Sequence, residues 1–275
     1  MRLQSKVCVI TGATSGIGRR TAEVFVAEGA SVVIAGRREE EGRALAAALG
    51  ERCDFVRTDV TEEAQVAALI QFAVDRHGRI DCLFNNAGGP APTGPIDGIP
   101  VAGFDAAIAV LLRSVMLGMK HVAPIMRRQR SGSIINNGSV AARLAGFSSS
   151  LVYSAAKAGV VQLTRCVAMD LGEHRVRVNS ISPGGIATGI FGKAAGMPAA
   201  MADRTAAQAA LALEKLQAIP RSGLTDDVAA AAVFLASDES TFINGHDLVV
   251  DGGLTAGKPW SEQQALLQRL RAAFG

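Results

Sequence analysis

Aromatic residues make up only 4% of the 275 residues, with one tyrosine and one tryptophan among them. A base-stacking platform for nucleic acid therefore has little to be built from. Charge of one sign is scarce as well. The formal net charge is +3 and the basic residues are dispersed, so no Lys/Arg run marks a nucleic-acid footprint, and no such partner is expected. The cysteines Cys8, Cys53, Cys82 and Cys166 are far apart and form no CxxC pair. Three of them, Cys8, Cys53 and Cys82, fall in or beside expected core strands. They read as buried free thiols of a reducing, cytoplasmic setting. The histidines are scattered without metal-ligand spacing, so no metal is expected. No apolar run approaches a membrane span, and the first strand begins a few residues after Met1. Neither a membrane partner nor a signal peptide is expected.

What is abundant is aliphatic. Hydrophobic residues reach 49%, carried by Ala, Val, Ile and Leu, with 30 glycines. A chain of this length buries roughly three quarters of its extended surface and needs no disulfide staples. Short apolar runs at Val7–Thr11, Ser31–Gly36, Cys53–Arg57, Ile80–Asn85 and Ser133–Gly138 read as buried strands, with further strands at Val176–Ser182 and Asp247–Val250. Helical patterns separate them. Val66, Leu69, Ile70, Ala73 and Val74 form a one-faced stripe between Glu62 and His77. Phe104–Arg128 and Val152–Glu173 read as long helices. Thr225-Asp226-Asp227 reads as an N-cap with acids in the first turn of a helix to Ala236. Such alternation requires parallel pairing with right-handed crossovers. The expected fold is α/β: a single-domain, doubly wound, Rossmann-like sheet of about seven mostly parallel strands. Its ligand site should lie beyond the carboxyl ends of the strands. Residues 1–253 would form this domain, with a substrate-covering segment at 185–220 that is rich in Ala, Met and Gly.

Three motifs carry chemistry. Thr11-Gly12-Ala13-Thr14-Ser15-Gly16-Ile17-Gly18 follows the first strand and opens a helix. Glycines allow a tight turn and close approach of a pyrophosphate, and a helix N-terminus offers free N–H groups to the anion. The second strand ends in Ala35-Gly36-Arg37-Arg38. Gly36 stands where an acid would bond the adenosine ribose hydroxyls. Arg37 and Arg38 suit a 2′-phosphate, which favours NADP(H) over NAD(H). Tyr153-Ser154-Ala155-Ala156-Lys157 places a phenol and an ammonium at i, i+4 on one helical face. The ammonium is expected to lower the phenol pKa from its ordinary value of about 10. Hydride transfer creates or discharges an alkoxide, which needs a positioned donor and a proton exchanger.

These motifs, with Asp59-Val60, Asn85-Asn86-Ala87-Gly88, a serine upstream of Tyr153, and Ser182-Pro183-Gly184, make the sequence resemble the short-chain dehydrogenase/reductase family from Lys6 to about Gly253. The resemblance implies a cofactor site formed by Gly12, Ser15, Gly16, Ile17, Gly18, Arg37, Arg38, Asp59, Val60, Asn85, Ala87, Gly88, Tyr153, Lys157, Pro183, Gly184, Ile186 and Thr188. It implies a catalytic set of Ser139, Tyr153 and Lys157. Ser139 would bond the substrate oxygen and Tyr153 would exchange its proton. Lys157 would bond the nicotinamide ribose. It implies an NAD(P)-dependent alcohol dehydrogenase or ketoreductase acting on a secondary alcohol or ketone, alicyclic ones among the candidates, assembled as a homotetramer or homodimer.

Two departures stand out. The serine-to-tyrosine interval is one residue longer than the commonest version, which leaves Ser133 and Ser148 as alternatives to Ser139. The position where many members carry a catalytic Asn is Leu111, with Ser114 one turn on. Leu111 is the foothold for the alternative of a non-catalytic nucleotide-binding scaffold or redox sensor. In the covering segment, Ile190, Phe191, Met197 and Met201 are apolar, and Lys193 and Arg204 charged. The extension 254–275 is expected to be helical. Leu266, Leu267, Leu270, Ala273 and Phe274 share one face there and, with Trp260, need an apolar cover, either on their own subunit or on a partner.

Overall fold

Residue alternation along the strands decides which helices lie on which side. The computed structural model describes residues 1–275. Its strands are β1 (Val7–Thr11), β2 (Ser31–Gly36), β3 (Cys53–Arg57), β4 (Cys82–Asn85), β5 (Gly132–Asn137), β6 (Val176–Pro183) and β7 (Asp247–Val250). Cys8, Ile10, Val32, Ile34, Phe84 and Ile135 face one layer. Val9, Val33, Leu83 and Ile134 face the other, as side-chain alternation in a strand requires. The first layer holds α1 (Gly16–Ala27), α2 (Glu39–Leu49) and α10 (Thr225–Ala236), through Ala22, Phe25, Leu45, Val228 and Val233. The second holds α3 (Glu63–His77), the helix pair α4 (Val101–Ile108) and α5 (Ser114–Gln129), and α6 (Leu151–Gly172). Leu69, Val115, Val122, Val160 and Leu171 fill that core.

All seven strands are parallel, in the order β3-β2-β1-β4-β5-β6-β7. The order reverses between β1 and β4, and the crevice beyond their carboxyl ends is where such sheets bind ligands. The sheet thus has no antiparallel member, which is stricter than the mostly parallel expectation.

Several boundaries differ from the sequence reading. β4 starts two residues late, because Ile80 and Asp81 make an approach in which Asp81 Oδ2 accepts the Val7 N–H at 2.9 Å. The long middle helix starts at Val101 and contains a π-helical turn, Ala109–Arg113, between α4 and α5. This helix, Val101–Gln129, is long and apolar enough to cross a membrane by length and composition, which corrects the reading that no run approaches a span. Its apolar stripe (Val115, Met119, Val122, Met126) is spent on the sheet. The N-cap of α10 is Leu224, not Thr225. Asp227, at the helix's third position, reaches back to accept the Leu224 N–H at 2.8 Å, the half of a capping box that an acid supplies. Residues 185–220 carry the short helices α7 (Ile190–Ala194), α8 (Ala199–Ala202) and α9 (Ala206–Leu213). The terminal helix α11 (Trp260–Phe274) has no buried residue, so its stripe is not covered by its own subunit.

One buried carboxylate ties three elements together. Asp247, 1% exposed at its side chain, accepts the hydroxyls of Ser180 and Ser182, both at 2.7 Å. It also accepts Arg143 Nε at 2.8 Å, from the loop that follows β5. Removing the cation would leave the buried charge with two neutral donors. Arg143→Met is therefore expected to destabilise the protein by about 3 kcal/mol. A denaturant midpoint equal to that of the wild type would show the pair to be dispensable.

Candidate functional site

The glycine-rich turn is shaped by a neighbour as well as by its own glycines. Gly12 has φ +66°, and a Cβ there would lie 2.6 Å from Ala87 Cα. A Cβ at Gly18 would strike the Asn86 amide. The turn and the segment after β4 can thus touch only because both positions lack side chains. Thr11 Oγ1 accepts the backbone N–H groups of Asn86 and Ala87, each at 3.1 Å. Asn86 Nδ2 donates to the carbonyls of Thr11 and Gly12, at 3.0 and 3.2 Å. Helix α1 begins at Gly16 with no acid in its first turn, and the Ser15 side chain makes no capping bond. The helix end is therefore left open to an anion, with Ile17 and Gly18 in that turn. Thr188 packs beside Gly16, where a Cβ would lie 3.6 Å from its methyl.

At the end of β2, Gly36 is buried under Thr14, whose methyl would lie 2.7 Å from a Cβ there. Arg37 is exposed and faces Asp59. Burial pulls the Asp59 carboxyl up, but hydrogen bonds from Thr61 and the charges of Arg37 and Arg57 outweigh it and hold it below the ordinary carboxylate value. Val60 follows, half-buried. Arg38 is already engaged, with Nη1 2.7 Å from Asp203 and Nη2 3.1 Å from Thr14 Oγ1.

On the other side of the crevice, Ser150 caps α6. Its hydroxyl accepts the Tyr153 N–H at 3.1 Å and donates to the Pro92 carbonyl at 2.6 Å. This fixes Tyr153 in the first turn. One turn on, Lys157 is 3% exposed. Its Nζ donates to the Asn137 carbonyl at 2.6 Å and lies 5.7 Å from the centroid of the Tyr153 ring. Burial pulls the Lys157 pKa down to about 8. The Tyr153 phenol departs from the expected direction. Burial raises its pKa, and the Ser139 hydroxyl pulls it back only in part. The reason is the surroundings. The ring packs on the apolar cluster of Ala107, Leu111, Val152 and Ala156, while the ammonium is turned to a carbonyl.

Ser139 is 5% exposed and stands at the carboxyl end of β5, with its hydroxyl accepting the Ala141 N–H at 3.1 Å. Of the three serines, Ser139 is the one whose hydroxyl bonds the Tyr153 phenol. Ser133 donates to the Leu235 carbonyl near the opposite end of β5, and the Ser148 hydroxyl accepts the Ser150 N–H. Ser114 does not substitute for the missing Asn, because its hydroxyl donates to the Val110 carbonyl of its own helix at 2.6 Å. Leu111 is 1% exposed, and its methyl would lie 3.6 Å from a Cβ on Gly88.

The remaining positions close the crevice. Pro183 ends β6, and Gly184 donates its N–H to the Val250 carbonyl. Ile186 is buried and pairs with Gly223. Asn85 is at the strand end, but its amide is turned inward, with Nδ2 donating to Asn136 Oδ1 at 2.9 Å. Residues that motif reading missed hold the two halves together. Asn137 Nδ2 donates to Asn86 Oδ1 at 3.0 Å, while the Asn137 carbonyl holds Lys157. The available signal was a pair of amides, Asn136-Asn137, ending an otherwise apolar strand.

Comparison with known proteins agrees with this architecture. The family model described as enoyl-(acyl carrier protein) reductase matches residues 12–255. The chain is 41% identical over 262 residues to momilactone A synthase of Oryza sativa subsp. japonica, covering 92% of this chain and 91% of that one. It is 38% identical over 266 residues to (+)-borneol dehydrogenase 1 of Salvia officinalis, covering 94% and 96%. The crystal structure of levodione reductase superimposes with a TM-score of 0.84 at 35% identity, covering 94% of this chain and all of that one. Motifs, sheet order and these likenesses together place the chain in the short-chain dehydrogenase/reductase family of oxidoreductases.

Proposed function

We propose that this protein interconverts a secondary alcohol, alicyclic ones included, and the corresponding ketone, using Ser139, Tyr153 and Lys157 with a nicotinamide dinucleotide. One observation carries the reading most strongly: Tyr153, Ser139 and the buried Lys157 ammonium converge at the carboxyl end of β5, beside an open helix N-terminus framed by Gly12 and Gly18. The names of the relatives, a borneol dehydrogenase and a levodione reductase, fit such a substrate class.

The residues fit the cofactor of this family. The turn Gly12–Gly18, with Ser15, Gly16 and Ile17, would take the pyrophosphate. Asp59 and Val60 would take the adenine, while Ala87, Gly88 and the Asn85 backbone would line the passage between. Pro183, Gly184, Ile186 and Thr188 would meet the nicotinamide end. The bound nicotinamide supplies or accepts the hydride. Ser139 and Tyr153 hold the substrate oxygen, and Tyr153 gives the proton in reduction or takes it in oxidation. A phenol held above its ordinary pKa is protonated at neutral pH, so the resting site is ready for reduction. Lys157 keeps a positive charge over the ring and would bond the nicotinamide ribose. Of the two arginines, Arg37 makes no hydrogen bond and is free for a 2′-phosphate, which favours NADP(H). A cytoplasmic setting, supported by the four free thiols, and assembly as a homotetramer or homodimer, supported by the uncovered leucines of α11, complete the proposal.

Tyr153→Phe is expected to lower ketone reduction at least about 1,000-fold, allowing for both the lost proton donor and the lost hydrogen bond to the oxygen. Dinucleotide affinity should be nearly unchanged, because the pyrophosphate is held at the other end of the crevice. Retention of the wild-type rate would refute the assignment. Because the chain has one tyrosine, near-ultraviolet tyrosinate absorbance titrates Tyr153 alone. In the cofactor-free protein it should ionise above the ordinary value of about 10, since burial disfavours the phenolate. A midpoint below that value would mean that Lys157 governs the phenol after all. Arg37→Asp is expected to weaken NADPH binding by about 1–3 kcal/mol, with NADH much less affected. An unchanged preference would remove Arg37 from the cofactor site.

A further inference from the structure

The covering segment is fastened to the glycine-rich turn by a single carboxylate. Asp203 lies in the short turn Asp203–Thr205, directly after α8. Its two oxygens each hold one cation: Arg38 Nη1 at 2.7 Å on Oδ2 and Lys193 Nζ at 2.9 Å on Oδ1. Both cations also touch the turn. Arg38 donates to Thr14 Oγ1 from Nε at 3.3 Å and from Nη2 at 3.1 Å. Lys193 Nζ reaches Ser15 Oγ at 3.5 Å. Glu41 stands further off, 3.6 Å from Arg38 Nη1. The aspartate is therefore the anion at the centre of two cations and two hydroxyls, at the mouth of a turn whose own chemistry suits phosphate. Gly189 lets it sit there, because a Cβ at that position would come within 2.6 Å of Asp203 Oδ1 and 2.7 Å of the Ala202 carbonyl.

We infer that Asp203 is an internal stand-in for a cofactor phosphate: it clasps residues 189–213 onto the glycine-rich turn, and it competes with a dinucleotide phosphate for Arg38 and Lys193. This inference rests on the dinucleotide reading above and adds to it a residue that tunes affinity and phosphate preference. The clasp withdraws Arg38 from a 2′-phosphate and leaves Arg37 as the free guanidinium. A carboxylate and a phosphate compete for the same N–H donors, and two anions cannot share them without repulsion. The three side chains are each about a quarter exposed, so the clasp is partly screened and can open.

Asp203→Asn keeps the size and removes the charge, and Asp203→Ala serves beside it should the amide perturb folding. Titration calorimetry with NADP+ and with NAD+ measures affinity. The rate of tryptic nicking after Lys193, Arg204 and Lys215 in the cofactor-free protein measures closure of the segment. Both variants are expected to bind NADP+ about 5-fold tighter or more, the effect of freeing two partly screened cations. NAD+ should gain less, and the segment should be nicked faster than in the wild type. Unchanged or weaker NADP+ binding would overturn the inference, as would an unchanged nicking rate. If the wild type binds neither dinucleotide, the cofactor reading fails by itself. The nicking rate then decides the clasp alone: acceleration upholds it as the fastening of the segment, and equality sinks it.

Discussion

A buried ammonium without a counter-ion constrains everything around it. Lys157 is almost fully enclosed and has one hydrogen-bond partner, the neutral Asn137 carbonyl. A charge in that position is tolerated only if its dipolar partners are held rigidly. Here they are. Asn137 closes β5, its amide grips Asn86, and Asn86 grips the carbonyls of Thr11 and Gly12. One continuous set of polar contacts thus runs from Lys157 at one end of the crevice to the glycine-rich turn at the other. Gly12 and Gly18 are part of the same constraint, since a side chain at either would push the Asn86–Ala87 segment away and loosen the seat of Lys157.

The layers of the fold were legible because buried parallel strands leave a plain signal, short aliphatic runs between helical stripes. Six of the seven expected runs differ from the observed strands by no more than a residue at either end, as at Val7–Thr11 and Asp247–Val250. The misses have local causes. Ile80 is apolar and buried, so nothing in its residue type separates it from the strand it leads into. The π-helical turn at Ala109–Arg113 is invisible to a periodicity that differs from the α-helical one by a single residue. The N-cap at Leu224 is hidden because its apolar side chain can accept no hydrogen bond, and the helix start is marked only by Asp227, three residues on, which accepts the Leu224 N–H. The covering segment gave only composition, and its short helices are held by ion pairs that no spacing rule announces.

The site was legible to the extent that its chemistry is written in spacing. Tyr153 and Lys157 at i, i+4 do share a face, and the ammonium does lie over the ring. Spacing could not say which way the charge points. Turned toward Asn137, it leaves the phenol to the influence of burial, so the direction of the pKa shift reversed. Arg37 and Arg38 are likewise adjacent in sequence and opposite in circumstance, one exposed and unbonded, the other pinned by Asp203 from 165 residues away. Only the folded chain distinguishes them.

Leu111 shows how one apolar residue shapes that outcome. An amide at this position would put a hydrogen-bonding group into the wall beside Tyr153. Leu111 instead joins Ala107, Val152 and Ala156 in a dry wall against which Tyr153 rests. Ser114 offers no replacement, since its hydroxyl is returned to its own helix. A dry wall raises the cost of forming phenolate and lowers the pKa of the adjacent ammonium, and both directions are found. A phenol of raised pKa holds its proton more firmly, while an ammonium near pKa 8 begins to lose its charge within reach of neutral pH. The polar seat provided by the Asn137 carbonyl is the one hydrogen bond that holds that charge, and it comes from the end of β5.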